Sequence, residues 1–515
     1  MFNASLNPSM DTNNLSYYDI LAMLCKRITS LAEAPRSELF QAVNSNLDTH
    51  RIKAASMFAW LSLKGRPSLP HYNAIESSDL MELLEFAKST DVNDLAIVMG
   101  VISLIDTAMG NPSNFQAFIV DKKCRVISDD EDFVSDTFYA FDALNYNTKD
   151  SFGLVLPRLS CVWKKQSDRT HDTVALNPLA LVLENHIWAP SDAGWKVNNL
   201  YTDIKGIGVY TALTPDMPEL KIISSPIMHH APFTIELDDE HRKFYIHYQD
   251  LYNDFMLKRM KSIIDYSCND CADIVVFPEM MGTEYCNRAC KDYISNSSSR
   301  SKPKLYILPS REYSQDGQWY NTVDILDEDG DCVFKYHKKH PFILDVKKDN
   351  HPNISYYEPI ESDGNICVIH VPGVGRIGII ICSDIFKDGY LEWLLKNLKL
   401  TLLLYPVCSF GKDALLRDLS AAHIYSCDVL MCNTCAAWEE MLLPHKERTD
   451  IDTFNHSFIN TYYPYGHFSQ IATTQLEECS TATCAGCLFI TTISNTYNNR
   501  VGSIIQKKIG VLLNA

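Results

Sequence analysis

Residues 376–384 read Arg376-Ile377-Gly378-Ile379-Ile380-Ile381-Cys382-Ser383-Asp384. An apolar run this short, closed by small polar residues, is the pattern of a strand buried on both faces. On its upstream side Val368–Val371 forms a second such run, separated by Gly373 and Gly375, which predicts a strand pair. Downstream, Leu391, Leu394, Leu395 and Leu398 share one helical face, and the apolar runs 402–405 and 429–431 follow. Strand, helix and strand in alternation predict an α/β sheet covered by helices. The same texture extends upstream. An apolar run at 222–227 precedes a helix with Met256, Met260, Ile263 and Ile264 at i, i+4, i+7 and i+8, and Ile274–Phe277 comes next. After 304–308, the runs 321–326 and 332–336 flank the turn signal Asp329-Gly330 as a hairpin.

A chain of 515 residues exceeds one hydrophobic core. Helical periodicity (Ile20, Leu21, Met23, Leu24 and Ile28; then Met57, Phe58, Leu61 and Leu63) with breaks at Ala34-Pro35 and Arg66-Pro67 predicts a helical domain over 1–112. Short apolar runs broken by polar clusters make 113–215 a mixed region, and the alternating part is assigned to 216–515, after the linker-like Thr214-Pro215-Asp216-Met217-Pro218. With 46% apolar and 21% charged residues the chain is globular, which excludes wholesale disorder. The 64 acidic against 46 basic residues give a formal charge of −18, which argues against nucleic acid or an anionic membrane as principal partner. The first fourteen residues lack the basic and apolar regions of a signal peptide, and Leu95–Ile105 falls short of the ~20 residues a spanning helix needs. The expectation is a soluble cytoplasmic protein whose 17 cysteines are reduced thiols.

Three polar residues close these strands, where an open α/β sheet places its site. Glu279 follows Phe277-Pro278, Lys338 lies in Tyr336-His337-Lys338-Lys339-His340, and Cys382 ends the quoted strand. A thiol between a strand and a helix N-terminus, with an ammonium beside it, is expected as thiolate. A carboxylate could take its proton and later activate water, while the lysine and the Ser383 N–H hold the charge of a tetrahedral intermediate. The competing readings are Glu279 as a helix N-cap and Lys339 as the functional lysine, with the other lysine a solvated charge.

Phe277-Pro278-Glu279, Tyr336–His340 and Gly378–Asp384 together resemble, in order, the three signature segments of the nitrilase (carbon–nitrogen hydrolase) superfamily. The resemblance covers about residues 220–515. It implies a four-layer αββα sandwich, preceded here by the mostly helical and then mixed N-terminal region. It further implies Glu279 as general base, Lys338 as intermediate-stabilising lysine and Cys382 as nucleophile, with Ser383 supplying the oxyanion N–H. A second glutamate of the family is matched by Glu358, with Glu361 close behind. The implied activity is hydrolysis of a small amide through a thioester, with amidase, nitrilase and carbamoylase left open, no metal or organic cofactor, and assembly into a homo-oligomer. The alternative is a nitrilase-like sensor or assembly platform in a multidomain signalling or defence protein.

Cys268/Cys271, Cys432/Cys435 and Cys484/Cys487 have C-x-x-C spacing, with Cys286/Cys290 nearby, and two converging pairs would bind zinc. Cys432 lies in an apolar strand, where packing accounts for it. His337 and His340 are read as orienting residues rather than metal ligands.

Overall fold

The computed structural model of the chain describes residues 17–63, 77–109, 153–157, 178–190, 195–202, 219–228, 231–346, 354–371, 373–409 and 427–434. It also describes the strand segments 124–127, 132–135, 139–140, 457–459, 471–473, 487–496 and 501–510 and the single residues 204, 419, 422, 425 and 436. Two compact units emerge, Met1–Lys122 with Phe141–Ser160 and Lys165–Trp195, and Lys123–Ala140 with Cys161–Lys164 and Lys196–Ala515.

The first unit holds α-helices at Tyr17–Thr29, Glu33–Met57, Trp60–Leu63, Ser77–Ala87 and Val92–Met109. Ile20, Leu21, Leu24 and Ile28 are buried as their spacing predicts, and each such side chain contributes roughly 1.5–3 kcal/mol of burial. Pro35, read from sequence as a break, instead sits in the first turn of Glu33–Met57, where a missing N–H costs no helical bond. Met57 ends that helix exposed, while Phe58 is buried. Gly100 allows the helices Glu33–Met57 and Val92–Met109 to approach, since a Cβ there would lie 2.6 Å from the His50 carbonyl oxygen. The buried Asp106 carboxylate accepts the N–H groups of Glu184, Asn185 and His186 and faces His186 Nδ1 at 2.9 Å. The segment Gly110–Pro112 and the linker-like residues 214–218 lie outside the described residues, apart from Met109 before them.

Two eight-stranded sheets form the body of the second unit. The first runs Arg311–Gln315, Gln318–Leu326, Leu305–Ile307, Ile274–Val276, Leu220–Ser224, Cys487–Thr496 and Val501–Gly510, with Cys332–His337 also paired to Gln318–Leu326. The second runs Ile471–Thr473, Ser457–Ile459, Asp428–Asn433, Leu402–Val407, Gly375–Ile379, Asn365–Val371, Lys196–Tyr201 and Tyr139–Ala140. Strand pairing thus carries this sheet back to residues well before 216.

Met256, Met260, Ile263 and Ile264 of the helix Asn253–Asn269 pack with Ile223 and Val275, so this helix and its neighbour Glu284–Asn296 cover the first sheet. On the second sheet, Tyr390–Asn397 is the crossover between the parallel strands Gly375–Ile379 and Leu402–Val407 and buries Leu391, Leu394 and Leu395. Between the helices the sheets face each other, as the bonds Cys432 Sγ to the Val276 oxygen (3.4 Å) and Thr434 Oγ1 to the Pro226 oxygen (3.3 Å) show. The result is an α/β fold with αββα layering, as expected. One element was not foreseen. A hairpin, Phe233–Asp238 with Lys243–Tyr248, stands between the first strand and its helix and joins a four-stranded side sheet with Ile343–Val346 and Ile354–Tyr357. No helix among the described residues is long and apolar enough to cross a membrane.

Candidate active site

Strand direction brings the three sequence candidates together. Ile274–Val276 is parallel to Leu305–Ile307, which is antiparallel to Gln318–Leu326, itself antiparallel to Cys332–His337. Two reversals restore the direction, so Ile274–Val276 and Cys332–His337 end at the same edge, and Glu279 and Lys338 leave from it. In the second sheet Gly375–Ile379 and Leu402–Val407 are parallel, and Cys382 and Cys408 follow their ends. The Cys408 N–H donates to Glu279 Oε2 at 2.9 Å and so joins the two edges.

At this junction Lys338 Nζ donates to Glu279 Oε1 at 2.8 Å and to Glu358 Oε2 at 2.7 Å. Asn321 Nδ2 donates to the same two side chains, at 3.0 Å to Glu279 Oε1 and 2.9 Å to Glu358 Oε1. Glu358 Oε2 also accepts the Phe342 N–H at 2.7 Å. Glu279 and Lys338 are 1% exposed and Cys382 3%, so all three groups are buried.

Cys382 stands at a strained turn with φ +38, in the left-handed region that costs a non-glycine residue about 1–3 kcal/mol. Tyr405 holds the turn by donating its hydroxyl to the Cys382 carbonyl at 2.6 Å. Asp384 holds it from the other side, accepting from Ile381 N (2.9 Å), Lys339 N (2.5 Å), His340 N (2.9 Å) and the Tyr336 hydroxyl (2.8 Å). One carboxylate therefore ties the lysine loop to the cysteine turn. Asp384→Ala would leave three backbone donors short, the Tyr336 hydroxyl keeping the Tyr390 hydroxyl at 3.0 Å. Since each costs about 1–3 kcal/mol, the variant should lose on the order of 3 kcal/mol or more in urea unfolding. A loss below about 1 kcal/mol contradicts this clamp.

Burial, and then the Glu279 charge, push the Cys382 thiol well above the usual cysteine value, and Lys338 only partly opposes them. This corrects the expectation of a resting thiolate. The expected helix is also a 3₁₀ turn of five residues, Cys382–Phe386, too short to carry a strong dipole. Burial raises Glu279 too, against the pull of Lys338 and with the push of Glu358, which makes it a better base than an exposed glutamate. Burial works against the charge of Lys338, but Glu279, Glu358 and Cys382 outweigh it and keep the ammonium well above the usual lysine value. A neutral thiol thus meets a carboxylate of raised basicity, and a proton can pass between them.

Of the paired alternatives, Lys338 and not Lys339 enters the cluster. Lys339 is nevertheless no solvated charge: it is buried, bonds Asp363 Oδ1 at 2.5 Å and lies 4.7 Å over the Tyr336 ring. Burial lowers it from the usual value despite Asp363. Glu358 enters the cluster, whereas Glu361 is exposed. The cap of the helix Glu284–Asn296 is Thr283, not Glu279. Ser383 directs its hydroxyl to the His340 oxygen at 2.6 Å, and its N–H is the first amide beyond the thiol. His337 Nδ1 faces Thr322 Oγ1 at 2.6 Å. Cys435 and Cys484 lie outside the described residues, as does the Cys487 side chain; among the described residues no group of three or more His, Cys, Asp or Glu could hold a metal.

Sequence reading missed Asn321, the Cys408 N–H and the Asp384 clamp. A carboxamide opening an apolar strand was the available signal for Asn321, since a buried amide must be satisfied by partners. The Cys408 contribution is a backbone group and leaves no mark in side-chain identity.

Residues 255–484 match the family model described as carbon–nitrogen hydrolase. No match was found among curated proteins. Among solved structures, the chain is similar to a glutamine-dependent NAD+ synthetase from Acinetobacter baumannii at 14% identity and a TM-score of 0.36, over 56% of this chain and 48% of that one. It therefore spans about half of that relative's length. It is similar to Nit3 of Saccharomyces cerevisiae, a member of branch 10 of the nitrilase superfamily, at 17% identity and a TM-score of 0.27, over 42% and 76%. The NitFhit protein of C. elegans matches at 15% identity and a TM-score of 0.35, over 55% and 62%.

Proposed function

We propose, from the premise that residues 255–484 form a carbon–nitrogen hydrolase domain of the nitrilase family, that Cys382, Glu279 and Lys338 hydrolyse a small amide through a thioester. The observation that carries this reading is the lysine bridging two glutamates at 2.8 and 2.7 Å beside a buried thiol at the same strand ends. Glu279 takes the thiol proton as sulfur attacks the carbonyl carbon. Lys338 Nζ and the Ser383 N–H hold the resulting oxyanion. Protonated Glu279 returns the proton to the leaving nitrogen, and ammonia or an amine departs. Glu279 then draws a proton from water, which attacks the thioester and releases the acid and the free thiol. A nitrile would give a thioimidate by the same attack.

Low exposure of all three groups supports a small, linear substrate, and Glu358 supports the lysine rather than touching the substrate. The direct test is a panel of short amides and nitriles with two readouts, ammonia release and intact mass for a Cys382 adduct. Turnover with a transient adduct supports the hydrolase. Neither product nor adduct from any compound moves the weight to a sensor or assembly platform.

A further inference from the structure

Glu312 lies on the strand Arg311–Gln315, directly opposite Asn321 of Gln318–Leu326, so the two side chains share a face of the sheet. It is 5% exposed, and neither carboxyl oxygen meets a hydrogen-bond donor among the described residues. Asn321 Oδ1 is equally without a donor, because its amide nitrogen is spent on Glu279 and Glu358. Three buried acceptors with no proton to share are costly; one proton on Glu312 turns one of them into a donor that can serve the facing Asn321 Oδ1, which leaves a single orphaned oxygen in place of three. We propose that Glu312 is a positioning residue, held as the neutral acid, which donates its proton into the Glu358–Asn321 cluster and thereby orients the amide that serves both glutamates.

The surroundings agree. Glu358, Lys338 and Glu279 face Glu312 from the ends of their strands, and the Tyr248 hydroxyl accepts its backbone N–H at 3.2 Å. On its own strand Arg311 is engaged by Asp324 at 2.8 Å and Glu284 at 3.0 Å. Burial first, and then the Glu358 charge, raise the Glu312 carboxyl well above the usual value, with Lys338 opposing.

A folded value above the unfolded one means that stability is present below the unfolded value and is lost as pH rises through the interval toward the folded one. Glu312→Gln, a neutral isostere, escapes that loss. Its melting temperature relative to wild type should be near zero difference at pH 5 and higher by roughly 2 °C or more at pH 8. A gain that stays flat across that range overturns the proton assignment. The positioning role rests on the hydrolase reading and is read by single-turnover acylation with p-nitrophenyl acetate. Glu312→Gln should acylate at a rate of the same order as wild type, and Glu312→Leu at least about tenfold more slowly. Equal rates for the two variants overturn the role. Wild type that acylates neither with p-nitrophenyl acetate nor with any amide or nitrile of the panel overturns the hydrolase reading instead and leaves the melting comparison to decide the proton.

Discussion

Cys382→Ala should fold like the wild type and lose amide turnover by at least about four orders of magnitude, the scale on which removing a covalent nucleophile acts. The side chain is 3% exposed, so truncation leaves a cavity of one sulfur, which costs on the order of 1 kcal/mol. The turn should survive. Its φ of +38 is as strained for alanine as for cysteine, and the Tyr405 and Asp384 bonds reach backbone or neighbouring groups, not the thiol. The charge cluster should survive as well, because Glu279 keeps Lys338, Asn321 and the Cys408 N–H. Circular dichroism and urea unfolding check the fold, while ammonia release and intact mass check the chemistry. Cys408→Ala is the control, since Cys408 contributes its N–H and not its sulfur, and it should retain the adduct. An adduct that vanishes in Cys408→Ala and persists in Cys382→Ala assigns the nucleophile to the wrong thiol.

Much of this site was legible because three strands announce their own ends. Ile274–Phe277, 332–336 and 376–381 are strand-length, mostly apolar runs followed within two residues by a carboxyl, an ammonium and a thiol, and strand direction then brings those residues together. The choice of Glu358 over Glu361 could not be read. Both lie in one loop, and what separates them is that Glu358 meets Lys338 while Glu361 gives only its N–H to the Trp319 oxygen. The burial of Lys339 was equally hidden, since its partner Asp363 is 24 residues away in sequence. Phe233-Thr-Ile-Glu-Leu-Asp carries a period-two alternation that marked the missed hairpin strand, but the stronger apolar run ahead of it drew the reading straight to the helix. The protonation of Cys382 differs from the expectation for a physical reason: the helix N-terminus and the lysine charge favour thiolate, but burial and then the Glu279 charge outweigh them.

Lys338→Met should unfold more easily than wild type by about 3–5 kcal/mol at pH 8, the cost of removing one partner from a buried ion pair. The methionine fills much of the lysine stem's volume, so the loss is electrostatic. Glu279 and Glu358 would remain buried, near each other and near Glu312, with the Asn321 amide, the Cys408 N–H and the Phe342 N–H still bound but no cation. Glu279, already raised by burial, would lose the cation that opposes that rise and take up a proton above the unfolded glutamate value. Its folded value being raised, stability is present at low pH and lost as pH climbs from the unfolded value toward the folded one. The deficit against wild type should therefore be small at pH 5 and grow toward pH 8. In the wild type, the raised lysine value keeps its own contribution intact below the unfolded lysine value, so that term stays constant over the same range. Urea unfolding at the two pH values measures the difference, and a deficit equal at both, or absent at both, would mean that the lysine does not neutralise this pair. Acylation by p-nitrophenyl acetate should fall by a further two to three orders of magnitude, about the value of one oxyanion donor, even at pH 5 where the variant is most stable. Stability regained at low pH without regained acylation separates the two tasks of Lys338, holding the glutamates together and holding the oxyanion.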